Sequence, residues 1–559
     1  IGNGGGNVAT NTALGQSALS VNTTGANNTA VGYQALTTNT IGSPNDAFGY
    51  QALYSNTTGG YNVAIGYKSL INNTTGQTNT ALGASTLGQN AGGSTTFSSS
   101  TAIGYAALFT NQASNNTAVG AGSLQNNTTG TPNDAFGYQA LYNNTTGTNN
   151  CAVGYQALTN NTTGFANVAL GSLSQNGNVS GNSNTSVGYG SLYLNTASYN
   201  TAVGRESLRS NTTGTPNDAF GFQALYSNTT GTTNVAIGFQ TLTSNTTGSQ
   251  NTAVGRQALT TNVIGTDNTA TGYNALFYNT ASANTAFGRS ALFNNTTGSP
   301  NDAFGYQALY SNTTGGSNVA IGYQSTYSNT TGANNTAVGY QSLFTNTIGT
   351  QNTAVGYNAL YTNSTGSSNT ALGIVALAVN TASYNTAVGC QALRYNTTGT
   401  PNDAFGYQAL YANTTGNENV AVGYAALNQN TIGVGNTGIG YSSLTGNTTG
   451  TRNTAVGDAT LLLNVTGSDN TALGYQALRA NTASSNTAVG RQALALNTSG
   501  SPNDAFGYQA LYSNTTGTDN VAIGYISMYN NSIGSDNVAL GHRALNNNTT
   551  CLLYTSPSP

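Results

Sequence analysis

Apolar and polar residues follow one another along this chain in a fixed phrase: two polar residues, a small one, a large apolar one, a glycine and an aromatic, as in Asn28-Thr-Ala-Val-Gly-Tyr33. Aligned on its glycine, from Gly15 to Gly541, the phrase occurs in 32 copies. Of the 31 intervals, 25 are 17 residues long, five are 16 and one is 21. The consensus reads Asn-Thr-Ala-Val-Gly-Tyr-Gln-Ala-Leu-x-x-Asn-Thr-Thr-Gly-x-x, and its places are numbered positions 1 to 17. Successive side chains of a strand point to opposite faces. Position 4 is apolar in 31 of 32 copies, Thr271 being the exception, so it is the expected core position. Leu at position 9, as in Leu36, Leu53 and Leu70, is the second. Position 3 is Ala in 30 copies, with Ser186 and Gly438 the other two, and admits only small side chains.

A 17-residue unit is too short for a helix pair, and Gly, Asn and Thr at this density oppose helix. Short strands and turns remain. Two large apolar side chains per unit cannot offset the conformational entropy of ordering it alone, so the units must stack. The expected fold is all-β: a parallel β-solenoid of about 32 coils of 16 or 17 residues, roughly 150 Å long at the spacing of adjacent strands. Corners are expected at Asn28 and its equivalents and at the Asn-Thr-Thr-Gly turn, and repeated Asn can form amide ladders. A longer period lies over the short one. The 16-residue steps end at Gly120, Gly204, Gly288, Gly389 and Gly490, and the next copy always reads Pro-Asn-Asp-Ala-Phe-Gly. Residues 1–550 read as one array cut at both ends. Residues 551–559, Cys-Leu-Leu-Tyr-Thr-Ser-Pro-Ser-Pro, break the repeat and read as translated adapter or vector sequence.

Composition narrows the function. Among 559 residues only 10 are Lys or Arg and 13 Asp or Glu, about 4% charged against roughly 25% in an ordinary domain. With one His, three Cys and no Trp, the chain offers few acids, bases or ligands, so no enzyme, metal or cofactor is expected. A net charge of −3 gives no electrostatic footprint for nucleic acid or a basic membrane-surface face, so neither is expected as a partner. No apolar run reaches the ~20 residues of a membrane span. Cys151, Cys390 and Cys551 are too far apart for a disulfide framework or a metal site. The opening Gly2-Asn-Gly-Gly-Gly-Asn7 lacks the Lys of a phosphate loop and reads as a frayed end of the array.

Copies such as Asn62-Val-Ala-Ile-Gly66, Asn520-Val-Ala-Ile-Gly524 and Asn537-Val-Ala-Leu-Gly541 resemble the head repeat of YadA-like trimeric autotransporter adhesins, and equally the Asn-Thr-Ala-Ile-Gly-Tyr-Gln-Ala-Leu arrays of tail-fibre-like surface proteins. The resemblance covers about residues 7 to 550. It implies a left-handed β-roll that trimerises and binds host or matrix surfaces, at the cell or virion surface. The adhesin repeat is shorter, and no stalk, anchor or fibre chaperone accompanies it here.

Several residues carry candidate chemistry. Position 6 is Tyr in 18 copies, so stacking forms an aromatic ladder through Tyr33, Tyr50, Tyr67, Tyr138, Tyr155, Tyr306, Tyr323, Tyr340 and Tyr357. Parity puts it on the face of position 4 as a packing seam; a bend at the intervening Gly would instead turn it outward as a stripe for a surface or carbohydrate ligand. Arg205, Arg256, Arg289 and Arg491 replace Tyr and are expected to interrupt the stripe. Asn22, Asn56, Asn73, Asn144, Asn211 and Asn228 open Asn-Thr-Thr phrases and are candidate glycosylation sites on surface turns. Thr rows suggest an alternative, an ice-binding solenoid, although adjacent residues of a strand do not share a face. Asp46, Asp134, Asp218, Asp302, Asp403 and Asp504 follow Pro-Asn and are read as turn-capping groups rather than calcium ligands. His542 stands in the Tyr column with no catalytic partner in view. The reading that results is an extracellular structural or adhesive fibre acting by multivalent contact. Self-association as a trimer or lateral filament is expected through the strip of small residues at position 3, which otherwise lines a thin coil interior.

Overall fold

The computed structural model describes residues 2–88 and 96–550; the tail 551–559, with Cys551, lies outside the described residues. The chain forms two compact units, Ile1–Ala283 and Asn284–Pro559. Each copy of the repeat is one coil with a strand of three or four residues, and the described residues hold thirty-two such strands. Within each unit, neighbouring coils pair in parallel, position against position: Ala30 against Ala47 and Val31 against Phe48 in the first, Ala337 against Ala354 in the second. The one helical element described is a 3-10 turn, Gly5–Asn7. The fold is thus the all-β parallel β-solenoid that the spacing predicts.

The core is not where apolarity alone places it. Positions 1 and 3 point inward and positions 2 and 4 outward, as in Asn45–Phe48, whose residues alternate buried and exposed. Ala30, Ala47 and Ala64 are fully buried, whereas Phe48, Ile65 and Leu82 expose 38%, 38% and 43% of their surface. The expectation that position 4 forms the core is therefore overturned, and so is the expectation that the small residues of position 3 offer a docking strip. The reason is the thinness of the coil. A Cβ built on Gly438 would lie 3.3 Å from Leu427 Cγ and 3.4 Å from the Ser443 carbonyl oxygen, so the strand faces positions 8 and 9 with room for one methyl group. Leu at position 9 fills what remains: Leu36, Leu53 and Leu70 are fully buried, each contributing about 1.5–3 kcal/mol.

The backbone turns this corner at position 5. Gly32 has φ 135° and Gly49 φ 141°, open only to glycine, and a Cβ on Gly32 would strike the carbonyl oxygen of Gly49. Positions 7 and 9 then take left-handed conformations, with φ 53° at Gln34 and 51° at Leu36. These are costly for residues with a side chain, about 1–3 kcal/mol each. Stacking holds them there. Gln34 N–H donates to Gln16 O of the preceding coil at 2.9 Å, and Leu36 N–H to Ala52 O of the following coil at 2.9 Å, so buried backbone groups on this side find partners without forming a strand.

Two Asn columns close the interior, as the ladder expectation has it. At position 12, Asn39 Nδ2 donates to Asn22 Oδ1 at 2.9 Å and to Gly42 O at 3.0 Å. At position 1, Asn62 Nδ2 donates to Asn45 Oδ1 at 3.0 Å and to Gly76 O at 2.9 Å. The Asn-Thr-Thr-Gly turn needs its glycine because a Cβ on Gly59 would meet both the Gly76 carbonyl and the Asn56 side chain.

Candidate functional site

What the coils leave outside is a set of columns, each repeating one side chain per coil. On the strand face, position 4 presents Val, Ile, Leu or Phe. Beyond the glycine corner, position 6 presents the tyrosines, outward as position 4 is, so the seam that parity suggested lies outside the coil. Tyr33, Tyr155 and Tyr357 expose 41%, 52% and 50% of their surface, while Tyr306 is half-buried. Rings stack along the column: Tyr33 on Tyr50 at 5.2 Å, Tyr50 on Tyr67 at 5.3 Å and Tyr138 on Tyr155 at 5.4 Å. Tyr306, Tyr323, Tyr340 and Tyr357 continue at 5.1 to 5.2 Å. Ring faces are thus turned toward one another, and edges and hydroxyls reach solvent. A sugar ring could stack only at a ladder's end.

The arginines do not interrupt the column. Arg205 lies 5.7 Å from the Tyr189 ring and 5.9 Å from that of Phe222. Arg491 lies 5.4 Å from Tyr475 and 5.9 Å from Tyr508, so guanidinium planes take the place of rings as cation–π partners. His542 continues the same stack, 5.2 Å from Tyr525. Position 10, which the sequence reading passed over, forms a second ladder: Phe293, Tyr310, Tyr327, Phe344 and Tyr361 stack at 5.1 to 5.3 Å. Positions 6 and 10 lie on one side of the coil, where Tyr67, Lys68, Ile71 and Phe109 line one shallow cavity, and burial pushes the Tyr327 phenol up, with Tyr310 and Tyr306 adding to it. Gln side chains at position 7 run between them as an amide ladder, Gln324 Nε2 donating to Gln307 Oε1 and Gln341 Nε2 to Gln324 Oε1, both at 2.9 Å.

The candidate glycosylation sites are interior. Asn56, Asn73, Asn144, Asn211 and Asn228 are fully buried and Asn22 nearly so, and Asn56 Nδ2 is bonded to Asn39 Oδ1 and Gly59 O. A glycan on such a nitrogen has no place inside the folded coil, so these are not surface acceptors. The Thr at position 13 is tied to the next coil, as when Thr40 Oγ1 donates to Thr57 O at 3.0 Å. The row at position 14 is broken by exposed Ile41, Ile348 and Ile432. Neither row makes the uniform free-hydroxyl face that ice binding requires. Asp46, Asp134, Asp218, Asp302, Asp403 and Asp504 stand on the strands, exposed at position 2, not in the turn as capping groups. Among the described residues no group of three or more His, Cys, Asp or Glu could hold a metal, and no helix is long and apolar enough to cross a membrane.

Charge separates by position. Nine of the ten Lys and Arg occupy positions 6, 7 or 10, with only two acids, Glu206 and Asp458, beside them. Eleven of the thirteen Asp and Glu occupy positions 17 or 2, around the start of the strand, with one cation, Arg452. The net charge of −3 conceals a basic, aromatic side and an acidic, apolar one. Compared with known proteins, the sequence matches no family model and no curated protein.

Proposed function

We propose that this β-solenoid repeat protein is an extracellular structural or adhesive fibre component, not an enzyme, and that it works by multivalent surface contact. The observation that carries the reading is the outward column at position 4: Phe304, Ile321, Leu372, Phe405 and Ile439 are large apolar residues each exposed by more than a third, repeated coil after coil. Monomeric proteins rarely leave contiguous apolar patches beyond a few hundred Å² uncovered. A row of equal weak contacts gains strength through effective concentration rather than through any one strong site. The resemblance of Asn62-Val-Ala-Ile-Gly66 and its equivalents to adhesin head repeats points the same way. Self-association, as trimers or lateral filaments, belongs to this reading, with the contact moved from the buried position 3 to the exposed columns. Immunogold labelling of thin sections of source cells tests it. Label on external filaments is the expected result; label confined to the cell interior would overturn the proposal.

A further inference from the structure

One set of charges on each of the two oppositely charged sides keeps a common period. In the unit Asn284–Pro559, Arg289 and Arg491 stand at position 6 and Arg394 at position 10 of the coils of Gly288, Gly490 and Gly389, which are six coils apart. Asp302, Asp403 and Asp504 stand at position 2 of the coil that follows each. All three aspartates are exposed, Arg289 and Arg491 are exposed and Arg394 is half-buried. Each aspartate has an outward phenylalanine two residues on, Phe304, Phe405 or Phe506. The arginines lie against rings, Arg394 5.1 Å from Tyr395 and Arg491 5.4 Å from Tyr475.

We infer that the basic, aromatic side of one copy docks on the acidic, apolar strand face of a second copy, in a register set by these charges. The inference rests on the fibre reading above and names the two faces that meet. For two copies running in the same direction, a shift of one coil brings all three arginines opposite aspartates together. No other shift short of a whole period does so for these six residues. A uniformly charged polyanion is the rival occupant. On this side of the unit Arg289, Arg394 and Arg491 keep the six-coil interval while Arg479 and Arg543 do not; a partner with anions at the same interval meets the first three at every contact, an interval that a uniform polyanion does not have. The contact joins unlike faces, so it is heterologous, and each copy keeps a free face of either kind for the next. The apolar column supplies area, while the charges, screened by salt, supply register and discrimination against misaligned pairs.

Sedimentation of the whole chain over a range of concentrations tests this with two variants, Asp302→Lys/Asp403→Lys/Asp504→Lys and Arg289→Glu/Arg394→Glu/Arg491→Glu. Each alone is expected to raise the half-association concentration by about tenfold or more, and their equimolar mixture to return near wild type, because each then supplies the face the other lacks. Circular dichroism of each variant verifies the fold. If either fails to fold, the neutral Asp→Asn and Arg→Gln sets replace it, with wild-type association expected to weaken between about 0.05 and 0.5 M salt. A wild type that associates regardless of both sets overturns the docking and leaves the fibre reading standing. A mixture no better than its components also overturns the docking. A wild type that stays monomeric yet binds dextran sulfate overturns the docking and makes the basic side a polyanion site.

Discussion

At the scale of the residue, neighbours on one strand have opposite roles that their side chains do not advertise. Ala320 is fully buried, while Ile321 exposes 41% of its surface. Ala320→Leu must therefore overpack an interior with room for a methyl group, at a cost of about 1–3 kcal/mol. Ile321→Ser, on the outside, is expected to change stability by no more than about 0.5 kcal/mol. Denaturant unfolding of the two variants measures the contrast; equal effects would contradict the inward assignment of position 3. Cys151 gives a chemical test of the same geometry. It sits at position 2, paired in register with Asp134 on the preceding coil. Burial pushes its thiol up, and the Asp134 carboxylate adds to the shift. A raised thiol stays protonated to higher pH, and only the thiolate reacts. In a chain with Cys390 and Cys551 replaced by Ser, Cys151 should alkylate more slowly at pH 8 than an exposed thiol. Asp134→Asn should speed the reaction in part, and an unchanged rate would remove Asp134 as a contributor.

At the scale of the coil, the coil of Gly171 carries a polar residue where the repeat is apolar. Gln175 occupies position 9, where Leu is usual, and is fully buried beside Ser186, which replaces the usual Ala. Its Nε2 donates to Val168 O at 2.8 Å and to Ser186 Oγ at 2.9 Å, Ser186 is hydrogen-bonded to Ser174, and Gln175 Oε1 has no partner. An unmet buried acceptor costs about 1–3 kcal/mol. The double change Gln175→Leu/Ser186→Ala is expected to stabilise the coil by about 1–2 kcal/mol. Hydrogen exchange should show slower opening of the flanking strands Val168–Leu170 and Thr185–Val187. Faster exchange would mean that the polar cluster serves the coil better than an apolar one. The same element shows what a reader of the sequence can and cannot see. Coil length, parallel stacking and the Asn ladders follow from the spacing of Gly32, Gly49 and Gly66 and from the repetition of Asn39 and Asn56. The inward residue does not, because apolarity marks Val31 as core while the narrow interior accepts only Ala30. The left-handed conformations at Gln34 and Leu36 are hidden too, since neither residue favours them and only stacking imposes them. The charged sides were legible from column positions alone, yet a net charge of −3 masks them until residues such as Arg491 and Asp504 are placed by coil.

At the scale of the whole molecule, repetition separates folding from assembly. Ladder and backbone hydrogen bonds reach to the next coil and no further, as in the 17-residue steps from Asn312 to Asn329 and from Asn329 to Asn346. Stability in such an array is a sum of coils and nearest-neighbour interfaces. Deletion of Tyr323 through Gly339 removes one complete coil and joins Gly322 to Tyr340 in register. The shortened chain should keep its β spectrum and melt within a few degrees of wild type. Deleting only residues 323–330 sets strand against turn, breaks both Asn columns and should cost the local structure. Docking responds differently, because the coil removed lies between Asp302 and Arg394 and shortens the charge period from six coils to five at that point. Two copies of the shortened chain still match each other, since every aspartate remains one coil beyond its arginine. A shortened and a wild-type chain cannot match throughout: aligning Arg289 with Asp302 leaves Arg394 and Asp403 a coil apart. Energy transfer between differently labelled chains reads the outcome. Strong transfer within each kind and weak transfer between them is expected. Free mixing of the two, with the fold intact in both, would show that the charges do not set the register.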